Sequence, residues 1–293
     1  MTHKAGFVNI IGKPNVGKST LMNALMGEKL SIITPKAQTT RHRIKGIINS
    51  ENYQLIFSDT PGVIKPAYKL QEKMMSYIDT AIEDADVIVL LLEVGEKNLD
   101  DIMQNKLSKT NVPLLIAINK TDTVSPEQVS VSIEHWQKIF PENEIIPIAA
   151  IGNYNTDKLL KKIIALLPES PPYYPKDETF TDRSERFFVS EIIREKILLH
   201  YQKEIPYSTE VVIESFKEEE NIIRIRALIY VERDSQKGIL IGHKGSALKQ
   251  VGTEARLDME KFFNKKVFLE MFVKVKKEWR QSEKDLKQFG YGE

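Results

Sequence analysis

The sequence predicts an α/β domain built on a mostly parallel sheet, followed by a smaller α+β domain. Three observations carry this expectation. The chain has 293 residues, more than one domain usually holds. Its first ~165 residues alternate strand and helix patterns, as βαβ units do. Residues 168–175 then bring four prolines, which fix φ and remove backbone donors, and the order of elements changes beyond them.

The elements follow in order. Residues 7–11 form a short β-rich run ending at a glycine, and 18–26 a helix with Leu21, Ala24 and Leu25 on one face. Residues 44–48 and 54–57 flank a polar turn, Asn49 to Asn52, and read as a hairpin. A helix is expected over 69–84, and buried strands over the apolar runs 87–94 and 114–118. Ser125-Pro126-Glu127 starts a helix over 125–139 as N-cap and first turn. A strand at 145–149 and a helix at 155–166 complete the set. The expected boundaries are 1–167 for the first domain, 168–178 for a stiff linker and 179–293 for the second domain. There the predicted order is helix 184–200, strands 209–215 and 222–231, a short helix, a glycine turn, helix 246–263 and strand 267–275.

Composition narrows the classes. Hydrophobic content of 41% and charged content of 28% suit a soluble globular chain. The absence of cysteine excludes disulfides, thiolate metal sites and thiol catalysis. The N-terminus lacks a signal-peptide pattern, and the longest apolar run, 87–92, is too short to span a bilayer. A cytoplasmic location is expected, with peripheral contact at the inner face of the cell membrane left open. The net charge of +1 is unevenly spread. Residues 222–277 hold 13 Lys+Arg against 6 Asp+Glu, whereas 1–221 hold 26 against 31. A basic C-terminal part points to a polyanionic partner.

Gly12-Lys13-Pro14-Asn15-Val16-Gly17-Lys18-Ser19, followed by Thr20, matches GxxxxGK[ST] between a strand and a helix. Its backbone N–H groups would cradle phosphates, Lys18 would reach the β- and γ-phosphates, and the Ser19 hydroxyl would ligate Mg²⁺. A chance match in a chain this long arises at roughly the 1% level, and a plain surface turn is the bland alternative. Asp59-Thr60-Pro61-Gly62 follows the strand at 54–57. Asp59 would hold Mg²⁺ and the Gly62 N–H would meet the γ-phosphate, although DxxG by itself is also an ordinary strand-end turn. Between these motifs lies Gln38-Thr39-Thr40-Arg41-His42, a polar segment able to switch with the γ-phosphate. Thr40 is the expected Mg²⁺ ligand, with Thr39 as the fallback.

Asn119-Lys120-Thr121-Asp122 ends the strand at 114–118. A carboxylate such as Asp122 can accept both adjacent donors of guanine, N1–H and N2–H₂. Asn119 would bond the N7 side, and the Lys120 stem could cover the base. These four motifs resemble those of translation-factor-type (TRAFAC) GTPases with a Ras-like fold, a P-loop NTPase architecture. In that class a fifth, Ser-Ala-Lys-like motif puts a backbone N–H on guanine O6. The matching place is Ala149-Ala150-Ile151, making Ala150 the contact, although Ser and Lys are both absent here. Ras-like enzymes orient the attacking water with a Gln after the DxxG glycine, where this chain has Val63. The resemblance is therefore to the hydrophobic-substituted GTPases, with hydrolysis unassisted by a partner expected below about 1 s⁻¹. Some of those with Asn at the Asn15 position use K⁺ near the phosphates, so K⁺ joins Mg²⁺ as an expected cofactor; a loop-stabilising role for Asn15 is the alternative.

In the second domain, Ile241-Gly242-His243-Lys244-Gly245 places a GxxG turn between two helical patterns, with Lys244 inside it. Two glycines let a nucleic-acid backbone approach, and a helix start plus Lys244 suits phosphate. A turn with no ligand is the alternative. The order α-β-β-α-α-β resembles a type II KH domain, a reader of single-stranded RNA. Trp279 is left between stacking a base and capping the core. Taken together with residues 181–187 and 193–196, the chain resembles the Era family, GTPases joined to a KH domain, over its whole length. That resemblance implies GTP/GDP binding, contact with the 3′ region of 16S rRNA and the 30S subunit, a role in 30S maturation, and a monomer. Two other classes stay open here: an ATP-using P-loop enzyme, and a GTPase whose second domain docks a protein.

Overall fold

The computed structural model describes residues 2–107, 110–176 and 180–292. These fall into two compact units, Met1–Pro66 with Met74–Asp182, and Ala67–Lys73 with Arg183–Glu293.

The first unit is a six-stranded sheet in the order β2-β3-β1-β4-β5-β6. Its strands are β1 (Lys4–Ile11), β2 (Ile44–Asn49), β3 (Tyr53–Asp59), β4 (Val87–Glu93), β5 (Leu114–Asn119) and β6 (Ile145–Pro147). All neighbours run parallel except β2, which pairs antiparallel with β3 at one edge. Val87 to Leu92 are buried on both faces of the sheet, which is why this stretch reads as an unbroken apolar run. The helices are α1 (Lys18–Met26), α2 (Lys69–Glu83, whose first turn belongs to the second unit), α3 (Asp101–Leu107), α4 (Pro126–Ile139) and α5 (Thr156–Leu166). Helix α4 begins with the predicted cap: Ser125 and Gln128 form a capping box and Pro126 occupies the first turn.

Two elements depart from the sequence reading. The strand expected over 145–149 stops at Pro147, because Ile148 and Ala149 turn toward the loop above β5: the Ile148 carbonyl accepts from Thr121, and Ala149 pairs with Tyr154. Helix α3 was not expected; it is two turns long, with only Met103 and Leu107 buried.

The segment expected as a linker is bound along the first unit. The Pro168 carbonyl accepts from the Ala5 N–H, and Lys4 bridges to Glu169. Gln54, wholly buried, accepts the N–H groups of Tyr173 and Tyr174 and donates to the Tyr174 carbonyl. Phe180 and Thr181 then bond Ile47 and Lys45 of the edge strand β2. Residues 177–179, which hold the expected linker end and second-domain start, lie outside the described residues.

The second unit is built from α6 (Glu185–His200), β7 (Glu210–Glu218), β8 (Ile222–Val231), α7 (Asp234–Ile241), α8 (Ser246–Phe263) and β9 (Lys266–Val275), with a short α9 (Glu283–Gln288). Its three-stranded sheet has the order β7-β8-β9, with β7 antiparallel and β9 parallel to β8. Val189, Ile193 and Ile197 of α6 and Val251, Ala255 and Met259 of α8 recur every four residues and pack on alternate residues of β8. Trp279 belongs to the core: it is fully buried, and its Nε1–H donates to the Ser208 carbonyl at 3.0 Å.

Candidate functional site

The C-terminal ends of β1, β3 and β5 open onto one side of the first unit's sheet, and the predicted motifs sit there, where open α/β sheets bind ligands. A cleft of about 490 Å³ is lined by Gly17, Lys18, Ser19 and Thr40 and by Asn119, Lys120, Asp122 and Ala150.

Glycine is required in the phosphate loop by close approach and by conformation. A Cβ on Gly12 would lie 2.4 Å from the Leu91 carbonyl oxygen. At Gly17, φ is +100°, and a Cβ would meet the Asn119 amide at 2.3 Å. Lys18 is buried beneath the loop and donates to the carbonyls of Gly12 and Lys13 at 3.1 and 2.9 Å. Burial pushes its ammonium down to about 8, against the opposing pull of Asp59. The Lys13 side chain instead pairs with Glu96 and the Asn98 carbonyl, while the Asn15 amide donates to the Pro35 carbonyl at 3.1 Å. Pro14 and Thr20 line the cleft; Val16 is buried.

Three side chains from separate elements converge beside Lys18. Ser19 Oγ donates to Asp59 Oδ2 at 2.7 Å and lies 3.0 Å from Thr40 Oγ1, which is 3.3 Å from the same carboxylate oxygen. Asp59 is wholly buried, which raises its pKa; the Ser19 hydroxyl and Lys18 oppose that shift. Among the described residues its Oδ1 accepts no hydrogen bond. Two hydroxyls and a carboxylate with a spare oxygen are the hard donors that suit Mg²⁺. Of the two candidate threonines, Thr40 joins this cluster, whereas Thr39 bonds Thr34 and the Lys36 carbonyl.

The remaining segment residues are turned inward. Gln38 has φ +58° and lines the cleft, Arg41 is fully buried, and His42 packs near Tyr77. Arg43, not singled out from sequence, anchors the end of this segment through Ser58, Asn9 and a two-pronged pair with Asp84. Thr60 donates to the Ile10 carbonyl, and Pro61 is buried. Gly62 abuts Pro14, where a Cβ would come within 2.7 Å of backbone. The Val63 N–H donates to the Gly12 carbonyl and its side chain is buried.

At the other end, Asn119 ties the two loops together. Its amide donates to the Val16 carbonyl at 2.8 Å, and its Oδ1 accepts the Ala150 N–H at 3.0 Å. Lys120 adopts φ +65° and pairs with Glu93 at 2.8 Å, while Asp122 is exposed at the cleft. Ile32, Ile33 and Ile151 also line the cleft. Sequence reasoning names Ile151 only as the end of the Ala149-Ala150-Ile151 place and does not find Ile32 and Ile33, because isolated apolar residues in loops carry no periodicity.

In the second unit the GxxG turn joins α7 to α8. Gly242 and Gly245 have φ +73° and +79°, and a Cβ on Gly242 would meet that of Ala247 at 2.7 Å. His243 and Lys244 are exposed, with Lys244 at φ +49°. Ile241 is only partly exposed and packs against the core.

Residues 7–120 match a family model described as 50S ribosome-binding GTPase, and residues 204–280 match the KH domain. GTPase Era of Syntrophus aciditrophicus is 47% identical, covering 99% of this chain and 96% of its own. The chain belongs to the Era family of GTPases. GTPase Era of Clostridium kluyveri is 46% identical over 98% of this chain. A crystal structure of Era in complex with MgGDPNP and nucleotides 1506–1542 of 16S ribosomal RNA is 40% identical, with TM-score 0.95 over 99% of this chain and all of that one. A point variant of Aquifex aeolicus Era bound to GDP and AlF₄⁻ matches with TM-score 0.93 at 38% identity. The first unit is thus a P-loop G domain of the Era family, and the second contains its KH domain.

Proposed function

We propose that this Era-family chain hydrolyses GTP and acts as a nucleotide-dependent switch on single-stranded rRNA, at the 3′ region of the 16S species, in support of rRNA processing and 30S assembly. The observation that carries the proposal is the single cleft with phosphate-binding groups at one end and guanine-selective groups at the other.

Within that cleft each residue has a distinct task. The N–H groups of the loop from Gly12 to Thr20 surround the phosphates, and Lys18, already desolvated, donates its hydrogen bonds to phosphate oxygens in place of the Gly12 and Lys13 carbonyls. Ser19, Thr40 and Asp59 would hold Mg²⁺, which supplies charge neutralisation to the β- and γ-phosphates. Thr40 reports the γ-phosphate by staying at this cluster, and Gly62 does so through its N–H. Asp122, exposed at the cleft, accepts the two donors of guanine, a paired match that a base without those adjacent donors cannot make. The buried Val63 neither donates nor accepts through its side chain, so turnover stays below about 1 s⁻¹ until a partner or K⁺ near Asn15 assists. Single-turnover hydrolysis measured in K⁺ and in Na⁺ decides the role of that ion; equal rates remove it.

The turn at Gly242–Gly245, carrying Lys244, is the proposed RNA contact. The protein works as a monomer in the cytoplasm. The deciding experiment is Asp122→Asn. It should shift preference from guanine to xanthine nucleotides, and unchanged GTP binding would remove the assignment.

A further inference from the structure

The sheet of the KH-containing unit has two unlike faces. Ile223, Ile225, Ala227 and Ile229 of β8 face the helices and form the core. On the opposite face, Arg224 pairs in register with Phe268, Arg226 with Glu270 and Leu228 with Phe272. Phe268 and Phe272 are each 45% exposed. Rings left nearly half-exposed forgo part of the stabilisation that full burial of a Phe contributes. Each ring carries a guanidinium: Arg224 lies 5.4 Å from the Phe268 centroid, and Arg226 lies 5.4 Å from that of Phe272.

We infer that this outer sheet face is a second single-stranded RNA surface, on which bases stack against the Arg224–Phe268 and Arg226–Phe272 pairs. The inference rests on the RNA-binding reading above and extends it beyond the GxxG turn.

Two physical arguments favour RNA. Stacking on aromatic rings or on guanidinium planes is how unpaired bases are held, and a guanidinium lying over a ring still offers its outer plane. The two rings are four residues apart on one strand, about 13 Å, which leaves room for separate bases. Charge is complementary as well. Lys217, Arg224, Arg226, Lys266 and Lys274 share this face by register, against Glu210 and Glu270, with Glu214 beside Arg226 and with Glu219 and Glu220 at the β7–β8 turn. The ion pairs there, at 3.1 to 3.8 Å, join side chains that are 40–50% exposed, so phosphates can displace the acids at little cost. α7, which ends at the GxxG turn, packs on the core side of the sheet against β9, the edge strand whose outer side bears both phenylalanines.

The test measures affinity of the full chain for the RNA of nucleotides 1506–1542 and for a ten-nucleotide single strand from its 3′ end, by fluorescence anisotropy at two salt concentrations. The double variant Phe268→Ala/Phe272→Ala should bind the longer RNA at least tenfold more weakly, with GTP affinity and melting temperature unchanged. Phe268→Tyr/Phe272→Tyr, which keeps the rings, should bind as the unmodified chain does. Arg224→Ala/Arg226→Ala should weaken binding and lower its salt dependence. If the Phe→Ala variant binds both RNAs with the affinity of the unmodified chain, the inference is overturned. If Gly242→Asp still abolishes binding in that case, the GxxG reading stands alone. Loss of a co-purifying protein on Phe→Ala substitution, with RNA affinity unchanged, would make the face a protein-docking surface and also overturn it. No binding of either RNA by the unmodified chain removes the RNA-switch reading, and this inference falls with it.

Discussion

Lys18 is poised between two sets of partners, and its titration should be visible in nucleotide binding. Burial brings its pKa down to about 8, whereas a bound triphosphate favours the ammonium and raises it. Nucleotide binding therefore takes up a proton when the pH exceeds the free-protein value. Affinity for GDP should be flat below pH 7 and fall above pH 8 by about tenfold per unit, until the bound-state pKa is reached. Calorimetric titration in buffers of different ionisation enthalpy checks the proton uptake directly. Asn119 offers a second test at this scale. Asn119→Ala would strand the Val16 carbonyl and the Ala150 N–H, each costing about 1–3 kcal/mol when buried and unpaired. Urea unfolding of the variant without nucleotide should show a loss of unfolding free energy of that size, and GDP affinity should fall as the two loops lose their tie.

Among the elements, the C-terminal turn and α9 are the ones whose weight is easiest to underrate. Trp279 is fully buried, meets Phe289 edge to face and donates to Ser208. Trp279→Ala should destabilise the second unit by about 3–5 kcal/mol. Trp279→Phe, which keeps the ring but loses the N–H, should cost much less; denaturant unfolding followed by circular dichroism separates the two. The sequence shows why this element is hard to foresee. Strands such as 87–92 and helices such as 246–263 announce themselves by an apolar run or a four-residue period. Residues 279–288 bury Trp279 and Leu286, seven apart with charges between them, and no window of either period fits. The candidate site divides in the same way. Glycines and motif residues at fixed spacing were legible because backbone conformation and ligand chemistry dictate them. The choice of Thr40 over Thr39 had to be posed from sequence, and the coordinates bring Thr40 rather than Thr39 to Ser19 and Asp59. Arg43, Ile32 and Ile33 were invisible, since their partners come from distant parts of the chain.

For the molecule as a whole, chain order and physical grouping disagree at one place. Prolines at 168–175 mark a boundary by composition, yet that stretch is hydrogen-bonded to β1 and β3, and 180–182 run along the edge strand β2. Backbone groups on an exposed edge are free to recruit a foreign strand, so a covered edge is a safeguard against self-association. A nucleotide-binding fragment ended at residue 167 would bare that edge and remove the Tyr173 and Tyr174 N–H groups that the Gln54 oxygen accepts. Light scattering during storage should show it clumping, while a fragment carried through Asp182 stays dispersed. Anyone dissecting the protein by limited digestion or recombinant truncation should therefore cut by hydrogen bonds rather than by prolines.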